Sequence, residues 1–511
     1  AAAPPCGVDG VQVPGGLPGG QMPGGLPAPN DNAQGIRGPE TGLIVRRDAG
    51  SGQWLDGLGR NWTNAVRFDL PDQDVFAIDA VADPPVETAA FAHVGTVLFN
   101  MAVDPTSRAL FVSNTEAHNE VRFEGPGTSA STVRGDLHRA RITVIDDAGV
   151  HPRHLNKHIT ALPDGYRTAP MPAAVKAASL ATPLDLTVGR DGTLWVAAFG
   201  SSAIGRFRAA ALRDDRFVPD AAAQIPVSGG GPCGLALDEA RSRLYVLTRF
   251  DNAIKVIDTA TGAEVGQRPL HDPEPAAVRD GRRVLYDARA TSSNGEAACA
   301  SCHVFADFDS LGWDLGNPDD VVRQNFNPRG PIGGGQAFHP LKGPMTTQTL
   351  RGMAHGGPMH WRGDRSGGQF PDDPAALDER LAFLAFNVAF PGLIGRDEGE
   401  IPDADMQAFT DFVLSIQLPP NPIRALDNSL TPAADRGRDL FFGRTTDVVA
   451  NCNGCHTLDA ARGFFGSGGQ TTFESETQEL KVARLSLAYQ KVGMFGTPNV
   501  PFLTLPSANR Q

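Results

Sequence analysis

The sequence predicts a multidomain chain: an all-β propeller, closed or an incomplete arc, followed by a mainly α-helical region of two tandem units. Three observations predict it. Turn-then-strand segments of one type recur through the first half. β-alternation fades after about residue 266, where Asp272-Pro273-Glu274-Pro275 reads as a linker. A Cys-x-x-Cys-His motif then occurs twice, each time behind the same helical pattern.

In chain order, residues 1–40 are rich in Gly and Pro and predict an irregular segment. Residues 41–270 predict propeller blades. Leu110-Phe111-Val112, Leu194-Trp195-Val196 and Leu244-Tyr245-Val246 each follow a turn cluster, and each turn follows an earlier apolar strand. The clusters are Asp104-Pro105-Thr106-Ser107, Gly189-Arg190-Asp191-Gly192 and Asp238-Glu239-Ala240-Arg241. Trp195 and Tyr245 lie 50 residues apart, close to one propeller blade. The wider gap from Phe111 to Trp195 predicts an insertion. Gly234-Leu235-Ala236-Leu237-Asp238 with Arg243-Leu244-Tyr245-Val246-Leu247-Thr248 resembles the YVTN-type repeat of bacterial β-propellers. An immunoglobulin-like sandwich is the alternative. Only three or four blades can be counted, so a partner chain at the propeller edge is one expectation.

Residues 276–425 and 426–511 predict two units, each carrying one motif: Cys299-Ala300-Ser301-Cys302-His303 and Cys452-Asn453-Gly454-Cys455-His456. The spacing suits covalent haem c, with two thiols on the porphyrin vinyl groups and the next imidazole on the iron. Gly281-Arg282-Arg283-Val284-Leu285-Tyr286 and Gly437-Arg438-Asp439-Leu440-Phe441-Phe442 precede the two motifs in matching positions. The repeat reads as a cytochrome c half-domain, an amphipathic helix entering a haem-binding turn. A Cys₄ zinc site shared by both pairs is the alternative. Further helices are predicted over Pro374–Phe386 and Asp403–Leu418, with Asp403 as an N-cap.

Tandem haem units at this spacing resemble the bacterial di-haem cytochrome c peroxidase and MauG-type superfamily. The resemblance rests on Phe338-His339-Pro340-Leu341-Lys342-Gly343-Pro344 and Met359-His360-Trp361-Arg362-Gly363-Asp364-Arg365. It implies His339 as distal ligand of the first haem, Trp361 between the haems, and a calcium ion between the haem domains. His355 and His360 compete with His339. Arg362 and Arg365 are candidates for the haem propionates, because guanidinium pairs well with carboxylate. Met494 and Tyr489 are candidates for the sixth ligand of the second iron, and a ligand beyond residue 511 stays open. The family's distal Glu is missing from the matching stretch Phe386–Gly392, which leaves peroxide cleavage without its usual acid/base.

The resemblance implies a di-haem oxidoreductase: the first haem meets peroxide, the second passes electrons, and a small redox protein serves as donor or acceptor. A MauG-type or oxygenase-type enzyme is one alternative. A non-catalytic electron-transfer or assembly cytochrome is the other. Haem c attachment places the chain in the periplasm or outside the cell, where Cys6 and Cys233 could pair. The net charge of −13 argues against nucleic acid, and no apolar run is long enough to span a bilayer. His154 and His158 would share a face if helical and could bind a metal, with a loop or interface role as the alternative.

Overall fold

The computed structural model describes residues 31–39, 44–48, 50–56, 59, 61–63, 66, 73–120, 133–323, 337–341, 343–361, 378–420, 425–427, 429–446, 451–459, 461, 464, 466 and 480–485. Three four-stranded antiparallel sheets occupy the first half. The first runs Val97–Val103, Leu110–Ala117, His138–Asp146, Gly149–His154. The second runs Pro183–Val188, Thr193–Ala198, Ala203–Arg208, Gln224–Pro226. The third runs Pro232–Asp238, Arg243–Thr248, Ala253–Asp258, Glu264–Pro269. Each is a meander in sequence order, as in a propeller blade. The three segments singled out by sequence each form the second strand of a sheet.

An Asp side chain holds the turn between first and second strand in all three. The Asp104, Asp191 and Asp238 carboxylates accept from the backbone N–H of Thr106 (2.9 Å), Thr193 (2.9 Å) and Arg241 (3.1 Å). An Asp competes well for backbone donors in a turn, which is why it recurs there. Asp185 stitches the three innermost strands together. It accepts from Asn100 Nδ2 at 2.6 Å and from the Leu235 N–H at 2.6 Å. Apolar side chains fill the spaces between blades: Phe111, Ile142 and Val144 with Leu194 and Val196, then Trp195 and Ile204 with Leu244, Val246 and Ile257. A hairpin of Val75–Asp79 and Val86–Phe91 packs on the outer side of the first sheet through Val75 and Val112. The insertion predicted before Trp195 contains the short helices Lys157–Thr160 and Ala173–Ala178.

After the last blade strand, helix Ala276–Tyr286 begins the helical region and packs across helix Asp403–Ser415. Gly281 makes this crossing possible. A methyl group there would overlap the Ala408 carbonyl and lie 2.7 Å from Phe412 Cβ. Asp403 is the first helical residue rather than the cap, because Pro402 takes the cap position. Its carboxylate still sits in the first turn, where it suits the helix dipole. The expected Pro374–Phe386 helix is seen as Glu379–Leu384, continued as a 3₁₀ turn to Val388. Asp378 caps it by accepting from Leu381 N at 3.0 Å, and residues 374–377 lie outside the described residues.

The core of this region joins that of the blades. Leu285, Phe383, Phe390, Phe409 and Phe412 form one cluster with Phe199 and Phe250, which come from the second and third blade regions. The second unit is built from helix Pro432–Gly443 and the turn Cys452–Cys455. Gly437, the counterpart of Gly281, has open space around it, and Leu440 and Phe442 are exposed. No helix of the described residues is long and apolar enough to cross a membrane.

Candidate cofactor sites

The first Cys-x-x-Cys-His motif forms one helical turn, Cys299–Cys302, closed by His303. It opens onto a large cavity, part of it continuous with solvent. Cys299, Cys302 and His303 line this cavity. They keep surface facing it while being screened from bulk water. Burial pushes the Cys299 thiol up to about 12 and Cys302 well above the ordinary thiol range. Both thiols are free, so the pair is not a disulfide. His303 is kept neutral by burial, which lowers its pKa, and among the described residues its Nδ1 has no hydrogen-bond partner. A neutral imidazole and two unpaired thiols on a large, mostly apolar cavity fit a covalently held haem.

The distal candidates separate. His339 and His360 both line the cavity, whereas His355 is exposed and does not. His339 is buried, with Nδ1 accepting from the Leu341 N–H at 3.1 Å and Nε2 3.1 Å from the Ile36 carbonyl. The donor at Nε2 follows from that arrangement, since a carbonyl only accepts. To bind iron through Nε2, His339 must leave Ile36. Trp361 lines the same cavity and donates its indole N–H to the Thr346 carbonyl at 2.7 Å. Asp320 is the one carboxylate among the described lining residues, and Arg323 stands 3.5 Å from it. Arg362, Arg365, Met494, Tyr489 and Cys6 lie outside the described residues. Cys233 carries a free thiol.

At the second motif Asn451 caps the turn by accepting from the Gly454 N–H at 2.8 Å. His456 Nδ1 lies 2.6 Å from the Ala483 carbonyl. That contact fixes the proton on Nδ1 and leaves Nε2 as the available ligand atom, the usual device for orienting a metal-binding imidazole. The two Cys pairs do not converge, so the shared Cys₄ zinc site is not formed.

Several residues that position the first site carry no motif. Glu296, three residues before Cys299, is fully buried. It accepts from the Ala140 N–H at 2.7 Å, His154 Nε2 at 2.9 Å and the Tyr166 hydroxyl. Burial alone would raise this carboxyl, but the His154 ring, Arg139 and Tyr166 outweigh it and bring it down to about 2. His154 is therefore a bridge from the first blade to the loop before Cys299, and it lies on a strand, off the short helix that carries His158. His158 Nε2 bonds the Val175 carbonyl at 2.9 Å instead of pairing with His154.

His138, from the same blade, is buried, and burial drives its pKa to about 3. Among the described residues neither of its ring nitrogens has a hydrogen-bond partner. Its ring stands 5.0 Å from that of Trp313, and it groups with Cys302 and Asp309, ligand atoms within 4.8 Å of one another. This is the one His/Cys/carboxylate group of three found among the described residues, and it is not the oxygen-rich shell that calcium takes. Only the three-dimensional arrangement brings His138 to Cys302 and Asp309, since it lies far from both in sequence.

No family model and no curated protein matches the chain. Among solved structures it is similar to a nidogen/laminin complex at 13% identity, covering 36% of this chain and 51% of that one, with TM-score 0.23. It is also similar to hydrazine synthase of Kuenenia stuttgartiensis at 15% identity, 45% and 57% coverage, TM-score 0.24. A third is a catalytically inactive virginiamycin B lyase from Staphylococcus aureus with quinupristin, at 15% identity, 48% and 63% coverage, TM-score 0.23. The chain spans little more than half the length of the first two.

Proposed function

We propose that the chain is a di-haem c-type oxidoreductase of the cytochrome c peroxidase kind, working in the periplasm or outside the cell with a small redox protein as electron donor or acceptor. The observation that carries this reading is the cavity into which Cys299, Cys302 and His303 all open. Cys299, Cys302 and His303 would hold the first haem; Cys452, Cys455 and His456 would hold the second. When bound, the haems supply one-electron chemistry at iron. The chain's own part is to keep His303 neutral, to orient His456 through the Ala483 carbonyl, to surround the first site with apolar walls, and to keep His339 within reach. Trp361, in the wall of the first cavity, suits electron passage between the sites. Asp320 is the described cavity group best able to move a proton, in place of the Glu missing from Phe386–Gly392.

A non-catalytic electron-transfer or assembly cytochrome is the second reading. It is favoured by the lack of a carboxylate in the stretch Phe386–Gly392, where the family carries its distal Glu. His339→Ala separates the two. If His339 is the sixth ligand, the variant gives a high-spin first haem that reacts with peroxide without prior reduction, while attachment at Cys299 and Cys302 is kept. A low-spin spectrum unchanged from the parent would remove His339 from this role and leave His360 as the cavity-lining alternative.

A further inference from the structure

A buried histidine from the first blade stands beside the first motif. His138 begins the strand His138–Asp146 and is 1% exposed. Among the described residues neither of its ring nitrogens has a hydrogen-bond partner. A buried imidazole left so is costly, and that points to something that binds it. What faces it is the Cys302 thiol and the Asp309 carboxylate, with all three ligand atoms within 4.8 Å of one another.

The Asp309 carboxylate is held in position. Its oxygens accept from the Leu311 N–H at 3.0 Å and from the Trp313 indole N–H at 2.9 Å, and the Thr347 side chain bonds it as well. A carboxylate has about four lone-pair sites, so one stays open. Outer hydrogen bonds of this kind orient a metal-binding carboxylate. An ion centred among three atoms no more than 4.8 Å apart lies at most about 2.8 Å from each. Zinc bonds to nitrogen, sulfur and oxygen run about 2.0–2.3 Å, so shifts under about 1 Å close the site. Imidazole, thiolate and carboxylate are ordinary zinc ligands, and a water completes the tetrahedron. Coordination at His138 breaks no existing hydrogen bond.

We propose that His138, Cys302 and Asp309 bind one zinc ion in the chain before haem is attached, and that the ion keeps Cys302 from forming a disulfide with Cys299. The guarding role rests on the di-haem reading; the zinc site rests on the three residues alone. On binding, the Cys302 thiol gives up its proton and the sulfur bonds the metal. Without metal, Cys299 and Cys302 stand at the two ends of one helical turn, a spacing that suits a disulfide. In an oxidising compartment the two thiols lose two electrons and two protons, and the disulfide that oxidises them becomes two thiols. A paired Cys302 can no longer add to a porphyrin vinyl group. Attachment of haem turns the thiolate into an uncharged thioether, a far weaker zinc ligand, so loading of haem releases the ion.

The test uses the full chain produced without haem, carrying Cys452→Ala and Cys455→Ala to silence the second turn. It is titrated with cobalt(II), whose bond to thiolate gives a charge-transfer band in the near ultraviolet. One cobalt per chain is expected, displaced by zinc. His138→Leu suits the apolar surroundings, and Asp309→Asn keeps the shape of the side chain. Each is expected to weaken binding by at least about 100-fold, beyond what loss of an outer partner costs. Cys302→Ala should abolish the band, and Cys299→Ala should keep it. With zinc at about 100 times its Kd, disulfide formation by oxidised glutathione should slow about 100-fold, because only the metal-free chain reacts. No band before these substitutions, or a band that survives His138→Leu and Asp309→Asn, overturns the zinc site. An unchanged glutathione rate with zinc bound overturns the guarding role. Fewer than two haems in the chain matured with haem overturns the di-haem reading and leaves the zinc site standing.

Discussion

Gly281→Val is expected to destabilise the protein by roughly 3 kcal/mol, the upper end of what overpacking costs. Two helices cross at Gly281 closely enough that the Ala408 carbonyl occupies the place of a side chain. A branched side chain there must push Asp403–Ser415 away and open the cluster of Phe409, Phe412 and Val413 around Leu285. Backbone is the obstacle, so no rotamer change relieves the clash. Haem attachment at Cys299 and Cys302 should fall with it, since this core supports the turn that carries them. Gly437→Val is the matched control. It occupies the same place in the repeat but has open space around it, so its effect should stay within about 0.5 kcal/mol. Urea unfolding of both variants gives the comparison. Equal losses would mean that the crossing at Gly281 is not what makes this glycine necessary.

The second large effect lies at Glu296. Glu296→Leu leaves the Ala140 N–H, the Tyr166 hydroxyl and His154 without their shared acceptor in a buried place, and is expected to cost roughly 3–5 kcal/mol. The carboxyl also makes stability depend on pH. Its pKa falls from an ordinary 4.5 to about 2 in the folded chain. Between those values the unfolded chain binds the extra proton, so stability falls as pH falls. The contribution, on the order of 3 kcal/mol, is complete above about pH 4.5 and lost by about pH 2. Glu296→Gln keeps the shape and should flatten this part of the acid limb. Unfolding measured at about pH 5 and about pH 3 would show it. An acid limb as steep in the Gln variant as in the parent would contradict the assignment.

These two residues illustrate what the sequence could and could not reveal. Gly281 is visible because its six-residue neighbourhood is repeated at Gly437, and both copies form the predicted helix. The blade strands are visible for the same reason: Phe111, Trp195 and Tyr245 stand in one pattern, after turns that an Asp holds. Glu296 has no such signature. Its partners Ala140, His154 and Tyr166 are between 130 and 156 positions away, and no local pattern announces a contact at that distance. The same holds for His138 against Cys302, and for Ile36, which holds His339 from a segment that reads only as Gly/Pro-rich irregular chain. Asp403 as N-cap failed on a local rule: Pro402 before it is fixed at a φ compatible with the cap position and takes that place.

A pyridine haemochrome assay on the purified protein measures directly whether both Cys-x-x-Cys-His turns carry covalent haem. Close to two haems c per chain are expected. Close to one is expected after Cys299→Ala with Cys302→Ala, and close to one after Cys452→Ala with Cys455→Ala. One haem or none in the parent, or stoichiometric zinc in place of iron, would contradict the di-haem reading.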